Sequence, residues 1–324
     1  MSILNSRPVV ERYPWLAGHW SFFLQRCEKN RLAHALMIEG PAGSGKNGLA
    51  QAMAARLLCL ESQPDACGKC RSCKLLEGGA HPDFFQIQPE EDGKAIKVDQ
   101  VRALIGRLDL TASISKRKVA YIHPADAMNA SSANALLKSL EEPAGDTVLI
   151  LVSDNPGRLP ITIRSRCQSI SVAQPDRNLV LGWLKVASDA SDDVLAAALQ
   201  AAGNSPLRAL QYLDSPELEA YGQVQQGLVG LLGRPATVSM ISSGLNELNP
   251  ADLWRWLSLC CSDAVKAIIT GKPAGWLADT SKLHSSTLLK LQKQADINRQ
   301  LSTTPVRGDL LLQDWLIRWA EQTV

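Results

Sequence analysis

The segment GPAGSGKN, at residues 40–47, constrains the fold of this chain more than any other part of its sequence. Gly40, Gly45 and Lys46 meet the pattern G-x-x-x-x-G-K of a phosphate-binding loop. In such a loop, backbone N–H groups surround phosphate oxygens and the lysine reaches the outer phosphates. The loop connects a strand to a helix, and the flanks fit: an apolar run at 35–39 precedes it and a helical pattern of apolar residues follows it. The segment therefore predicts the first strand and helix of a parallel sheet.

Further strands and helices alternate along the first half of the chain. Apolar runs predict strands at 84–88, 119–122, 147–152 and near 168–172. Amphipathic patterns predict one helix that Asp99 caps at its N-terminus and another helix at 132–142. This alternation indicates a mostly parallel sheet that is covered by helices.

After Pro175 the sequence is rich in Ala and Leu and predicts helices without strands. Three short helices, at 176–187, 191–202 and 205–213, precede four or five longer ones. The predicted fold class is therefore α/β plus all-α. We predict three domains: a sheet domain at 1–173, a three-helix domain at 174–214 and a larger helical domain at 215–324.

The phosphate loop departs from its pattern at the last position. Ser or Thr normally follows the lysine and coordinates Mg²⁺, whereas this chain has Asn47. The longer amide side chain does not suit the octahedral geometry of that ion. The candidate nucleotide-binding residues are therefore those of a vestigial loop: Gly40, Gly43, Gly45, Lys46 and Asn47. The sequence leaves open whether a nucleotide binds there.

A second requirement for hydrolysis is an acidic pair at the end of a neighbouring strand. One carboxylate holds Mg²⁺ and the other orients the attacking water. The strand at 119–122 should present this pair at the next two positions, which are His123 and Pro124. Asp126 lies beyond the strand end and is interpreted as a turn or cap residue. We therefore expect this chain alone not to hydrolyse ATP.

Four cysteines lie close together with the spacing C-x7-C-x2-C-x2-C: Cys59, Cys67, Cys70 and Cys73. Zinc binds four thiolates tetrahedrally, and a C-x2-C pair supplies two of them from one tight turn. Because all four positions are filled by protein, the metal should be structural. The other four cysteines lack such neighbours and are predicted to be small buried hydrophobic residues: Cys27, Cys167, Cys260 and Cys261.

Composition narrows the functional classes. The chain has 324 residues and a formal charge of +2, from 34 basic and 32 acidic residues, which does not suit binding of nucleic acid through a basic tail. The sequence has no apolar stretch of about 18 residues, so no membrane span is predicted. The N-terminus lacks the apolar core of a signal peptide, so we expect a cytoplasmic protein in which the thiols stay reduced.

The segment KVAYIHPADAMNASSANALLKSLEEP, followed later by ITIRSRCQSI, resembles the clamp-loader branch of the AAA+ ATPases. The cysteine cluster after the loop helix is similar to that of the bacterial members, and RYPWL and HPDFF also fit. The resemblance is strong over the first 175 residues. It implies an AAA+ sheet domain, a helical lid and a helical collar. It also implies a five-subunit ring with tau/gamma and delta subunits, which acts on a sliding clamp and primer–template DNA.

The resemblance assigns a role to the motif Ser165-Arg166-Cys167. In this family the arginine projects into the ATP site of a neighbouring tau/gamma subunit as an arginine finger. From spacing alone, Arg166 would be interpreted as an exposed cation at a strand edge. Arg164 is interpreted as a structural or supporting residue.

Two weaker assignments follow from the same resemblance. Ser153 matches a polar residue that senses the third phosphate in active relatives, and Arg208 matches their lid arginine. A solvated arginine at a helix start is an equally good interpretation of Arg208. His34 and His123 are predicted to be hydrogen-bonded structural residues.

Three functions remain in competition. The first is a clamp-loader subunit without hydrolysis, which acts as a stator and completes a neighbour's ATP site. The second is an active ATPase of the tau/gamma type that uses the retained loop. The third is a free-standing, zinc-dependent DNA-binding module, which the nearly balanced charge disfavours.

Overall fold

The computed structural model of the chain describes residues 7–61, 63–91, 93–232, 234, 237–281, 283–302, 304 and 306–321. The chain divides into two compact units. The first contains the residues up to Val180 together with Ser205–Leu207, and the second contains Leu181–Asn204 and Arg208–Val324.

A parallel sheet of five strands forms the centre of the first unit, with the order β2-β3-β4-β1-β5. The strands are β1 (Ala35–Glu39), β2 (Phe84–Ile87), β3 (Lys118–Ile122), β4 (Thr147–Ser153) and β5 (Gln168–Ser171). All five were predicted from apolar runs. Because the strands are parallel, the carboxyl ends of β1, β3 and β4 meet at one edge of the sheet. The phosphate loop follows β1 at this edge.

Helices cover both faces of the sheet. They are α1 (Val9–Arg12), α2 (Ala17–Glu28), α3 (Lys46–Leu58), α4 (Arg71–Glu77), α5 (Val98–Leu108), α6 (Ala130–Glu141) and α7 (Ile161–Arg164). Leu36 and Ile38 of β1 pack with α2 and α3, whereas Ala35 and Met37 face the core that includes α5 and α6. This alternation along a fully buried strand explains why the sequence of β1 is an unbroken apolar run.

Two helix ends differ from the sequence prediction. Helix α5 begins at Val98 with Lys97 as its N-cap, so the predicted cap at Asp99 is wrong. The Gln100 side chain accepts a hydrogen bond from the Lys97 N–H at 2.9 Å and fixes that helix start. Helix α6 begins two residues before the predicted start at 132, because the Asn129 side chain accepts a bond from the Ser132 N–H at 2.9 Å.

Beyond β5 the described residues form helices and their connections: α8 (Arg177–Ala187), α9 (Asp192–Ala201), α10 (Pro206–Leu213), α11 (Glu217–Leu231), α12 (Val238–Leu245), α13 (Pro250–Thr270), α14 (Ser285–Leu301) and α15 (Gly308–Ala320). The core of the second unit contains buried tryptophans whose indole N–H groups donate to backbone carbonyls: Trp256 to Ala201, Trp315 to Leu291 and Trp319 to Leu228. Each of these bonds links two different helices. Among the described residues, no helix has both the length and the apolar character needed to cross a membrane.

The isolated cysteines behave largely as predicted. Cys260 and Cys261 on α13 are fully buried, and burial raises the pKa of both thiols. Cys27 and Cys167 are half-buried, and burial also raises their pKa, to about 11 for Cys167. These four side chains therefore remain protonated thiols near neutral pH.

Candidate functional site

The phosphate loop has the backbone of a close-approach turn. Gly40, Gly43 and Gly45 have φ values of +153°, +73° and +88°, which residues with a side chain rarely adopt. A Cβ atom at Gly40 would lie 2.2 Å from the carbonyl oxygen of Val172. Glycine is therefore required at Gly40 by both conformation and space.

Lys46 is only 3% exposed and already has partners within the chain. Its ammonium group forms an ion pair with the carboxylate of Asp154, which directly follows β4. It also donates a hydrogen bond to the carbonyl oxygen of Pro41 at 2.9 Å. The charge that a phosphate loop offers to a nucleotide is thus balanced by a carboxylate of the protein.

Asn47 is tied to the sheet. The hydroxyl group of Tyr121, on β3, donates a hydrogen bond to its Oδ1 atom. Burial raises the pKa of Tyr121, so the phenol keeps its proton at neutral pH. The side-chain oxygen of Asn47 is therefore used inside the protein, at the position where a hydroxyl would hold Mg²⁺.

Other contacts hold the loop from outside, and sequence reasoning missed them. Trp15 Nε1 donates to the Ser44 carbonyl at 2.7 Å, and Ser205 Oγ donates to the Ala42 carbonyl at 3.0 Å. Tyr13 packs so closely that a Cβ atom at Gly48 would lie 2.6 Å from its ring. The motif RYPWL, noted only as part of a resemblance, thus contacts the phosphate loop directly.

The end of β3 presents His123 and Pro124 at the carboxyl edge of the sheet. The His123 ring stacks on Tyr121 with 6.1 Å between centroids. Burial lowers the pKa of His123, with Lys46 acting in the same direction and Asp154 in the opposite one. A neutral imidazole is a poor ligand for Mg²⁺, which prefers oxygen.

The nearest carboxylate after β3, Asp126, bonds within the site. Its Oδ1 atom accepts from Ser153 Oγ at 2.7 Å and from the Asp154 N–H at 3.2 Å. Its interpretation as a turn residue is confirmed, since it lies in a single helical turn at Ala125–Ala127. Ser153, the predicted sensor, is fully buried and hydrogen-bonds through this same contact.

Arg166 lies just beyond α7, and its side chain is 35% exposed. Its Nε and Nη2 atoms contact Glu141 Oε1 at 2.8 and 2.5 Å, and its Nη1 donates to the Thr162 carbonyl at 3.0 Å. Ser165 Oγ donates to the same carbonyl at 3.3 Å. The guanidinium group is thus held at the surface by the last residue of α6.

The four predicted zinc ligands come together. Their sulfur atoms lie within 4.8 Å of one another, and those of Cys67 and Cys73 are 4.0 Å apart. In a tetrahedral site with Zn–S bonds of about 2.3 Å, neighbouring sulfurs lie about 3.8 Å apart. The cluster therefore has the donor set and the dimensions to hold a metal such as zinc.

Backbone N–H groups point at the sulfurs of this cluster. Cys70 N donates to Cys67 Sγ and Cys67 N to Cys59 Sγ, both at 3.4 Å. The N–H groups of Lys69 and Cys70 lower the pKa of the Cys67 thiol to about 7. Burial raises the pKa of Cys59 and Cys73. The amide bonds favour thiolate at Cys67, the form that binds metal.

The remaining predicted residues lie away from these clusters in the chain. His34 Nε2 is 2.7 Å from the Leu140 carbonyl, which confirms its structural role. Arg208 is in the first turn of α10 and belongs to the second unit. Its suggested nucleotide contact stays a prediction.

Comparison with known proteins extends these observations. Residues 17–176 match the family model described as DNA polymerase III, delta subunit. The chain is 38% identical over 319 residues to DNA polymerase III subunit delta' of Pseudomonas aeruginosa, covering 98% of this chain and 92% of that protein. It is 32% identical over 316 residues to the subunit of the same name in Escherichia coli, covering 94% of each.

Two further similarities concern the gamma branch. DNA polymerase III subunit tau/gamma of Haemophilus influenzae is 28% identical over 285 residues, covering 84% of this chain and 40% of that protein. The solved structure of a gamma subunit-related protein from Thermotoga maritima aligns with a TM-score of 0.50 at 15% identity, covering 94% of this chain and 99% of that one. The latter likeness concerns the fold alone.

The chain has a five-stranded parallel sheet with a phosphate loop, and its relatives over nearly the whole length are DNA polymerase III subunits, so it belongs to that class of protein. Its full-length relatives place it more narrowly. The chain belongs to the family of DNA polymerase III delta' subunits.

Proposed function

We propose that this chain is a clamp-loader subunit of the delta' type that does not hydrolyse ATP itself. In this proposal it is the stator of a five-subunit ring with tau/gamma and delta subunits, in the cytoplasm. Through the ring it helps to load a sliding clamp onto primer–template DNA during replication. The similarity to subunits named delta' and tau/gamma supports this placement.

The observation that carries the absence of hydrolysis is the end of β3. In-line phosphoryl transfer needs carboxylates that hold Mg²⁺ and orient water. This edge offers a half-buried imidazole at His123 and a proline at Pro124. The nearby carboxylates of Asp126 and Asp154 already bond to Ser153 and Lys46, respectively. Neither is free to replace the missing pair without breaking those contacts.

Arg166 is proposed as a finger that acts on the ATP site of a neighbouring subunit. A guanidinium group placed there stabilises charge that develops on the transferred phosphoryl group. Its pairing with Glu141 does not prevent this, because a solvent-exposed ion pair contributes only about 0–1 kcal/mol. A phosphate oxygen of a neighbour can therefore replace the carboxylate at low cost.

The four cysteines are proposed to hold one structural zinc ion. Cys59, Cys67, Cys70 and Cys73 fill all four tetrahedral positions and leave none for a reacting water molecule. A bound ion would fix the segment between α3 and α4, which has little apolar core of its own.

Reconstitution of the ring with tau/gamma and delta subunits tests the finger. Arg166→Ala should leave assembly intact and lower DNA-stimulated ATP hydrolysis, on the order of 10³-fold at the site that the finger completes. Arg158→Ala, which removes an exposed arginine close in sequence, is the matched control and should retain activity. Glu141→Gln should change turnover by about fivefold at most, the equivalent of one exposed ion pair. Unchanged hydrolysis in Arg166→Ala would reject the finger.

The retained glycines and Lys46 keep a second candidate open, an active ATPase of the tau/gamma type. It predicts ATP turnover by the purified chain that Lys46→Ala abolishes. The first proposal predicts no turnover above background in either protein. Measurement of phosphate release therefore separates the two functions.

A further inference from the structure

A buried polar cluster lies between the cysteines and the edge of the sheet. It consists of the side chains of Ser72, His81 and Ser115 and the carbonyl group of Leu58. The three residues are buried, with exposures of 0%, 6% and 7%. His81 begins the motif HPDFF, whose role is explained neither by the phosphate loop nor by Arg166.

The hydrogen bonds fix which nitrogen of His81 carries the proton. The backbone N–H of Asp83 donates to Nδ1 at 3.0 Å. Nδ1 is therefore the acceptor, and the neutral ring carries its proton on Nε2. Nε2 lies 2.8 Å from Ser72 Oγ and 3.3 Å from Ser115 Oγ, so it donates to these hydroxyl oxygens.

The two hydroxyl groups are themselves hydrogen-bond donors. Ser72 Oγ and Ser115 Oγ both donate to the Leu58 carbonyl, at 2.6 and 2.7 Å. Every proton in the cluster then has an acceptor. Because Nε2 is already protonated, His81 cannot act as a base toward either serine, and the cluster is not a hydrolytic Ser–His pair.

Asp83 anchors the cluster to the sheet. Its carboxylate accepts three backbone N–H bonds, from Ser113, Ile114 and Ser115, at 2.6, 2.8 and 2.8 Å. These bonds fix the segment that leads into β3 and carries Ser115. Asp83 itself is 1% exposed and lies directly before β2.

Two members of the cluster adjoin metal ligands. Leu58 precedes Cys59, and Ser72 precedes Cys73, so the hydrogen bonds tie both ends of the cysteine segment to the sheet. We propose that Ser72, His81 and Ser115 are positioning residues for the metal centre, holding Cys59 and Cys73 where four thiolates can meet one zinc ion. This inference rests on the zinc site of the proposed function.

A matched pair of substitutions at His81 tests the direction of the hydrogen bonds. His81→Gln keeps a donor near the Nε2 position, whereas His81→Asn keeps only an acceptor near the Nδ1 position. Zinc affinity is measured by competition with the chromophoric chelator 4-(2-pyridylazo)resorcinol. Ser72→Ala and His81→Asn should weaken zinc binding on the order of tenfold, while His81→Gln should stay within about threefold of wild type. Equal affinities for the Asn and Gln variants would overturn the proposal.

Leu140→Ala separates positioning from general destabilisation. Leu140 is buried on the opposite face of the sheet, and its truncation leaves a cavity that should destabilise the fold. Zinc affinity in this control should equal that of wild type. Ser115→Ala removes the other hydroxyl group that donates to the Leu58 carbonyl, from the side of the sheet. It replaces Ser72→Ala if that variant does not fold. A wild-type chain without zinc would reject the metal site itself, whereas unchanged affinity in every cluster variant would reject only the positioning role.

Discussion

At the scale of single residues, Gly40 is the position that tolerates change least. Its φ is +153°, and a Cβ atom there would lie 2.2 Å from the Val172 carbonyl oxygen, so no side chain fits. Gly40→Ala should therefore destabilise the protein by about 2 kcal/mol or more. Gly106→Ala, in an open position on α5, should stabilise it by about 1 kcal/mol. Urea denaturation measures both, and a Gly40→Ala variant as stable as wild type would contradict this account of the loop.

Residue identities in the site were predictable where one residue type implies one chemistry. The cysteine spacing predicted a four-sulfur cluster, and the four sulfurs lie within 4.8 Å of one another. The partners of the loop were not predictable, because they come from distant parts of the chain. Trp15 reaches Ser44 across 29 residues, and Tyr121 reaches Asn47 across 74. No local pattern records such contacts; only packing of the folded sheet creates them.

At the scale of elements, the C-terminus of α5 is closed by a buried lysine. Lys118 is 4% exposed and donates to the carbonyl of Leu108, the last residue of α5, and to that of Leu110, which follows the helix. Lys118→Met keeps the apolar stem but leaves these carbonyls unpaired, and should cost about 1–3 kcal/mol. Lys116→Met, at an exposed position two residues before β3, should cost nothing measurable. Urea unfolding distinguishes the two, and equal stabilities would show that the helix end needs no lysine.

Elements were predicted better than their ends. Strands such as β4 lie buried on both faces, so their sequences are continuous apolar runs with little ambiguity. Helix starts depend instead on a single side chain that turns back to the backbone. Asn129 caps α6 in this way, whereas Asp99 does not cap α5. Asn and Asp are both common N-cap residues, so residue type alone does not show which of them caps a helix. At α5 the start is fixed instead by Gln100, whose side chain accepts a hydrogen bond from the Lys97 N–H.

At the scale of the whole molecule, the division into units does not follow chain order. Ser205–Leu207 belongs with the first unit although the residues on both sides belong to the second. The reason is local: Ser205 Oγ and the Leu207 N–H bond to the carbonyls of Ala42 and Gly43. The composition of the sequence indicated where the strands end. It could not indicate that Ser205–Leu207 joins the first unit, because two hydrogen bonds to distant residues do not alter the composition. The three predicted domains stay a prediction.

The pH dependence of stability should reveal a half-buried histidine that the folded chain keeps in its neutral form. Burial lowers the pKa of His123 in the folded chain below its ordinary value of about 6.5. Lys46, Asp154 and Asp126 face this ring, and Tyr121 stacks on it. As the pH falls through about 6.5 toward the lowered pKa of the folded chain, the unfolded state binds more protons than the folded state. The free energy of unfolding therefore falls with the pH in this range.

His123→Gln removes this one titration and should therefore flatten the stability curve. Between pH 7 and pH 5, wild type should lose stability relative to the variant, by about 1.4 kcal/mol per pH unit at the steepest. The difference should cease to grow once the pH falls below the lowered pKa in the folded state. Urea unfolding at a series of pH values gives both curves, and the cysteine cluster contributes equally to each. His284→Gln, at an exposed position, should follow wild type. Parallel curves for His123→Gln and wild type would contradict the lowered pKa, because they would mean that the imidazole at the end of β3 takes up a proton as readily in the folded chain as in the unfolded one.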